Sequence, residues 1–396
     1  MRNFYFFIGL LVISFQKLHA QSLNLSDSSE ISIVTAGPGD ALFEAFGHSA
    51  IRVKDPTQNI DNIYNYGLFD FNQPNFYLNF TKGKLWYRLG KGSYQNFVYS
   101  YHLQERWLKT QILNLTLDEK QQFFELLETN ALPENANYLY DPFFNNCSTK
   151  LRDITKQVLM DKVQFPTSLS EENFTLRQLM NQQIHWNTWG SFGINIALGQ
   201  ILDREISSEK YMYLPDYLYL SYQKATKKDH NSYKSLVKKN TMVLDHDEKE
   251  VKIHPLNPFL VFSILLMIVA LITYHDNKRN IRTRWLDFIL FFTSGILGVV
   301  ITFLWFFTDH ATTPYNLNFL WAFPFNIVVG FLLLKTAIDR WMIIYTKLLL
   351  LLLASFMIVW IFGIQLMSFS LIPLIGILIL RYAYLLKYFK KASSIF

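Results

Sequence analysis

The sequence predicts an α+β domain followed by an all-α bundle of five transmembrane helices. Three observations carry this. Between residues 31 and 100, short alternating apolar–polar runs are separated by Gly, Pro and Asn clusters, the signature of strands and turns. Beyond residue 101 the apolar spacing shifts to the helical period. From residue 258 onward, five apolar runs are each about long enough to cross a bilayer. A chain of 396 residues has room for both parts. Charged residues are 17% and aromatics also 17%, which is too apolar an average for one soluble globule.

The N-terminus has the plan of a secretory signal. Arg2 supplies a positive start, residues 4–15 an apolar core, and Leu18-His19-Ala20 a small-residue end, so cleavage is expected before Gln21 and residues 1–20 are read as a signal peptide. Ile31 to Thr35 alternates as a strand and Ala36 to Asp40 is a turn. In the next strand His48, Ala50 and Arg52 face one way and Ser49, Ile51 and Val53 the other. Asn62 to Gly67 and Lys84 to Leu89 read as further strands. Residues 101–130 read as helical, with Asp118 and Glu119 in a first turn. A second helix is expected to start at Cys147, with Leu151, Ile154 and Val158 on its apolar face. Residues 173–220 are helical and rich in Trp and Tyr, a composition suited to a packed core and also to a membrane interface. The soluble domain is therefore placed at 21–222, and the charged stretch 223–257 reads as a linker.

The five apolar runs are 258–274, 286–307, 319–334, 343–364 and 370–386. Lys278, Arg279, Arg282 and Arg284, then Lys335 and Arg340, then Lys387, Lys390 and Lys391 lie at alternate ends, whereas 308–318 and 365–369 carry no Lys or Arg. By the positive-inside rule this places the C-terminus in the cytoplasm and the soluble domain outside, in agreement with the signal. Net charge is +6, but the basic residues form no stripe with interleaved aromatics, so nucleic-acid binding is not expected. No cluster with metal-ligand spacing is visible, and neither metal nor cofactor is expected.

Cys147 is the single cysteine, so no internal disulfide can form. A free thiol is often a small core residue. Here it stands at a helix start, where free N–H groups and the helix dipole favour the thiolate, in a chain expected to be exported. A thiol nucleophile needs a base, and His48, on a strand of the same domain, is the best-placed histidine. Asn65 is the candidate to orient His48, with Tyr66 the competing choice, because adjacent strand residues face opposite ways. Backbone N–H groups at the helix start, with the Asn146 side chain, are candidate oxyanion donors, and Ser148 is a supporting neighbour. Arg152 and Asp153 read as a structural pair. At the outer membrane ends, His310, Asn318 and Trp321 are candidate lipid contacts, against the plain alternative of a helix-end loop.

Phe46-Gly47-His48-Ser49-Ala50, Tyr64-Asn65-Tyr66-Gly67, Tyr140-Asp141 and Asn146-Cys147-Ser148-Thr149 with Arg152-Asp153 resemble the N-terminal periplasmic domain of the Lnb-type lipoprotein N-acyltransferases. More broadly, the order His…Cys resembles a permuted papain-like (NlpC/P60-like) cysteine-enzyme domain. Lys150 stands where that family's pattern suggests arginine. The resemblance implies an inner-membrane acyltransferase that moves an acyl chain from a membrane phospholipid, through a Cys147 thioester, to the N-terminal amine of a diacylated lipoprotein. Rival readings are a cell-wall cysteine peptidase on the same fold, a phospholipase, and a membrane sensor or scaffold in which the thiol is incidental.

Overall fold

A computed structural model describes residues 23–229, 232–248, 251, 253–336 and 339–393. The expected signal segment lies outside the described residues. The soluble part opens with β1 (Glu30–Ala36), β2 (His48–Asp55), β3 (Ile60–Leu68), α1 (Phe76–Thr81), β4 (Trp86–Ser93), α2 (Tyr94–Leu103), β5 (Leu108–Leu113) and α3 (Leu117–Ala131). It continues with β6 (Asn137–Leu139), α4 (Cys147–Leu159), β7 (Val163–Gln164), α5 (Leu176–Gln183), α6 (Trp189–Ala197), α7 (Ser208–Tyr211) and α8 (Pro215–Lys224). Three strands close it: β8 (Thr226–Asp229), β9 (Ser232–Ser235) and β10 (Val237–Leu244).

Seven strands form one antiparallel sheet in the order β10-β5-β1-β2-β3-β4-β6. Period-two burial gives each face its own core. Ile51, Val53 and Tyr64 meet Leu151, Ile154 and Val158 of α4 on one face. Ala50 and Ile63 meet Tyr94, Phe97 and Tyr101 of α2 on the other. Full burial of each such aliphatic side chain contributes about 1.5–3 kcal/mol. Two expectations change here. Within 101–130, residues Leu108–Leu113 form β5, paired between β10 and β1, rather than helix. The stretch 223–257, read as a linker, holds β8, β9 and β10, and β10 supplies the sheet's edge. Lys238 and Lys239 are exposed on that edge. Edge strands use lysine to block further pairing, and the same composition imitates a linker.

The membrane part comprises α9 (Pro258–Arg279), α10 (Arg284–Phe306), α11 (Asn326–Leu333), α12 (Trp341–Ile361) and α13 (Leu371–Ser393). Among the described residues four helices, α9, α10, α12 and α13, are long and apolar enough to cross a membrane, not five. The expected third span is instead a 3-10 turn, Leu317–Leu320, followed by the eight-residue α11. Pro324 stands between them and removes a helix donor. This broken segment packs along α10, where Gly298 and Gly295 leave no room for a Cβ beside Ala322 and Ile327. At its far end Arg282 and Arg284 donate to the carbonyls of Lys335 and Leu334. At that same end Arg381 is clamped between Asp276 and Asp287, and Lys387 reaches Asn277.

The soluble domain sits on the opposite, lysine- and arginine-free ends of the bundle. Asn316 Nδ2 donates to Ile196 O (2.7 Å), Gly199 N–H to Thr312 O (2.9 Å), and Leu366 N–H to Asp203 Oδ1 (3.1 Å). The aromatic stretch 173–220 divides between its two expected roles. Tyr211 and Tyr213 are core. Trp186 and Trp189 are exposed and touch Phe259 and Phe262 at the start of α9.

Candidate active site

Cys147 is the first residue of α4. Asn146 caps the helix: its Oδ1 accepts from Thr149 N–H (2.9 Å), and Thr149 Oγ1 accepts from Asn146 N–H (2.8 Å). This reciprocal cap fixes the helix start, hence the sulfur. The helical ladder begins at Lys150 N–H to Asn146 O (3.0 Å), so the N–H groups of Cys147 and Ser148 lie outside it. The Asn146 side chain is a correction to the expected oxyanion donor. Its Nδ2 already donates to Pro142 O and Tyr213 O, both at 2.8 Å, so both amide hydrogens are committed.

His48 opens β2. Gly47 before it has φ of +73°, and a Cβ there would lie 2.8 Å from Ala36 O, so both the backbone sign and the space demand glycine. His48 Nε2 and Asn65 Oδ1 are 2.5 Å apart. Strand register explains the pairing. Ile51 stands opposite Tyr64, which puts Asn65 on the same face as Ala50 and His48. Tyr66, one residue on, points to the other face, where its hydroxyl accepts from Asn130 (2.9 Å). The competing orienting residue is therefore excluded by parity.

With Nε2 held by Asn65, Nδ1 is the nitrogen left for the thiol, and each group's charge favours the charged form of the other. Burial pushes the Cys147 thiol up, but the nearby His48 charge and the Ser49 N–H together bring it below the ordinary thiol value. Burial likewise disfavours the His48 cation, yet Cys147 and Asn65 raise it above 6.5. The pair favours thiolate and imidazolium. Ser148 is a close neighbour: its Oγ lies 3.9 Å from Sγ and donates to Ser49 Oγ at 3.2 Å. Cys147 is 8% exposed, while His48 is half-buried.

Two further residues stand at the site, Arg106, which no motif marked, and Tyr140, quoted above only as part of the resemblance. Arg106 is buried, donates Nε to Gly37 O (2.8 Å), lies 4.7 Å above the Tyr101 ring, and its charge opposes that of His48. Nothing local marks it, because it reaches the site across 58 residues of sequence. Tyr140 flanks the thiol. A Cβ on Gly67 would stand 3.7 Å from its ring and 3.9 Å from Cys147 Cβ. Burial first, then the adjacent sulfur charge, lifts the Tyr140 phenol well above its usual value.

The remaining expected residues lie elsewhere. Arg152 pairs with its neighbour Asp153 at 2.8 Å. Asn318 and Trp321 do not face lipid, which corrects their expected role. Asn318 is 0% exposed and donates to Asn195 O and Ile196 O (both 3.3 Å), and its Oδ1 accepts from Trp321 Nε1 (2.9 Å). Their polarity satisfies the junction between domain and bundle. His310 stays at the outer surface, packed against Phe80 at 6.5 Å.

The direction of the two shifts gives a pH prediction. The thiolate forms above a folded pKa that lies below the ordinary thiol value. Iodoacetamide alkylation of the full-length protein in detergent should therefore reach half its plateau rate below that pH. His48→Ala should move the midpoint upward, since burial then acts without a compensating cation. A wild-type midpoint at or above the ordinary thiol value would refute the ion pair.

A cysteine–histidine–asparagine site on a sheet domain, seated on the outer ends of apolar helices, defines a multi-pass membrane protein with a thiol centre outside the bilayer. Residues 15–182 match the family model for the Lnb N-terminal periplasmic domain, and residues 248–393 match that for the Lnb transmembrane domain. The chain belongs to the Lnb family, a membrane-associated, lipoprotein-modifying family. No curated protein and no solved structure gives a match to it.

Proposed function

We propose that the protein is an inner-membrane lipoprotein N-acyltransferase with Cys147 as its nucleophile. The Cys147 thiol gives its proton to His48, and the thiolate attacks the carbonyl of a phospholipid acyl ester. The ester C–O bond breaks, a thioester forms, and the lysophospholipid oxygen takes the proton from the imidazolium. The N-terminal amine of a diacylglyceryl-cysteine lipoprotein then attacks the thioester. Its proton passes to His48 and returns to sulfur as the C–S bond breaks, leaving an amide. Asn65 keeps the imidazole ring aimed at the sulfur. The N–H groups of Cys147 and Ser148 are the donors for the developing oxyanion.

The observation that carries this reading is position: the thiol–imidazole–amide trio belongs to a domain bonded to the outer ends of the membrane helices. Both substrates keep their chains in the bilayer, so an enzyme joining them must work at that level. The test is incubation of purified protein with phospholipid and a diacylated lipoprotein, followed by mass spectrometry of the lipoprotein N-terminus. Gain of one acyl group supports the proposal. Free fatty acid as the sole product would mean a phospholipase, and cleavage of peptidoglycan stem peptides instead would mean a peptidase.

A further inference from the structure

We propose that the arm of residues 69–84 is the track along which a lipid acyl chain passes between the bilayer and Cys147; this rests on the acyl-transfer reading above. A continuous file of rings leads away from the thiol. Tyr140, beside the sulfur, stacks on Tyr87 at 4.3 Å between centroids. Tyr87 meets Phe69 at 5.0 Å, Phe69 meets Phe76 at 6.4 Å, and Phe76 meets Phe80 at 6.3 Å. Phe80 meets His310 at 6.5 Å, four residues beyond the outer end of α10. Every step is within the distance at which aromatic pairs touch.

The arm is fixed to the membrane domain. Asp309 N–H donates to Lys82 O at 2.8 Å, and Lys84 Nζ lies 3.7 Å from Asp309. Gly83, with φ of +78°, comes so close that a Cβ would be 2.6 Å from His310 N. Along this bridge Phe71, Tyr77, Leu78 and Phe80 are exposed. Adjoining apolar side chains left uncovered mark a contact with an apolar partner. Phe306 and Phe307, at the outer end of α10 and three to four residues before His310, are exposed as well. One end of the patch is therefore bilayer and the other is the nucleophile, and the occupant that fits both ends is a hydrocarbon chain.

The test uses full-length Cys147→Ala protein, which cannot turn over, in vesicles of phosphatidylethanolamine and phosphatidylglycerol. A trace of phospholipid carries a diazirine near the end of one acyl chain. After irradiation, mass spectrometry should find adducts in the peptide covering 69–87 as well as on the membrane helices. Phe80→Asp and Phe71→Ser, both at exposed positions, should each lower arm adducts about fivefold or more relative to those on α9–α13. Adducts confined to the membrane helices, or arm adducts unchanged in both variants, would overturn the track. Because the readout needs no chemistry, failure of the transfer assay would sink the catalytic reading and leave this measurement standing.

Discussion

Replacing Cys147 by alanine is expected to reduce acylation of a diacylated lipoprotein to background, a loss of about 10⁴-fold or more. On the proposed route sulfur is both the attacking and the leaving atom, and among the described residues no second nucleophile of comparable strength adjoins His48. Ser148 is near, but it donates to Ser49 and has no base of its own. His48→Ala should cost about 10²–10⁴-fold, the range for loss of a positioned acid–base. Asn65→Ala should cost less, because ring orientation is lost while the proton acceptor remains. The order of the three matters as much as the sizes. Intact-protein mass spectrometry adds an independent reading: after brief exposure to phospholipid, wild type should carry one acyl group removable by hydroxylamine, and the alanine variant none. Undiminished lipoprotein acylation by folded Cys147→Ala would end the thioester account.

Arg177→Ala is expected to destabilise the protein by about 3–5 kcal/mol, seen as a marked fall in thermal midpoint in detergent and in yield. Arg177 and Asp203 are 0% and 1% exposed at the side chain and lie 2.9 Å apart. The guanidinium also donates to Leu198 O and Gly199 O, while Asp203 Oδ1 accepts from Leu366 N–H in the membrane domain. Burial already lifts the Asp203 carboxyl above its usual value despite the partner charge. Without Arg177 that carboxylate would be buried and unpaired. The double substitution Arg177→Met with Asp203→Asn should recover part of the loss, since no isolated charge remains. A midpoint in the single variant close to wild type would show that the pair does not join domain to bundle.

The thiol, its helix and the histidine of the neighbouring strand were legible in the sequence because their signals are local. The Asn146 cap lies one residue before Cys147, and His48 alternates predictably along a strand. Asn65 against Tyr66 was reduced to two candidates by alternation, and only the observed register chose between them. Asn146 shows the opposite case. Its cap function was visible as a helix start, yet the carbonyls of Pro142 and Tyr213 that occupy its amide come from folding. Asn318 and Trp321 misled for a related reason: polar and aromatic residues at a membrane end suit lipid, but they also suit a buried seam, and tertiary contacts selected the seam. The third span failed because hydropathy counts apolar residues without testing whether Pro324 permits one continuous helix.

By itself, the sequence determined the kinds of segment: strands by twofold alternation, helices by capping and period, and apolar helices of membrane length, with an expected orientation from the uneven distribution of lysine and arginine. These properties follow from each residue's own preference for water, oil or a backbone angle, so they need no partner to be stated. The tertiary structure decided which distant groups meet: β10 with β5, Asn65 with His48, Arg106 beside the site, and the outer ends of the helices beneath the sheet domain. Such meetings depend on register and packing over tens of residues, where no single residue's preference fixes the outcome.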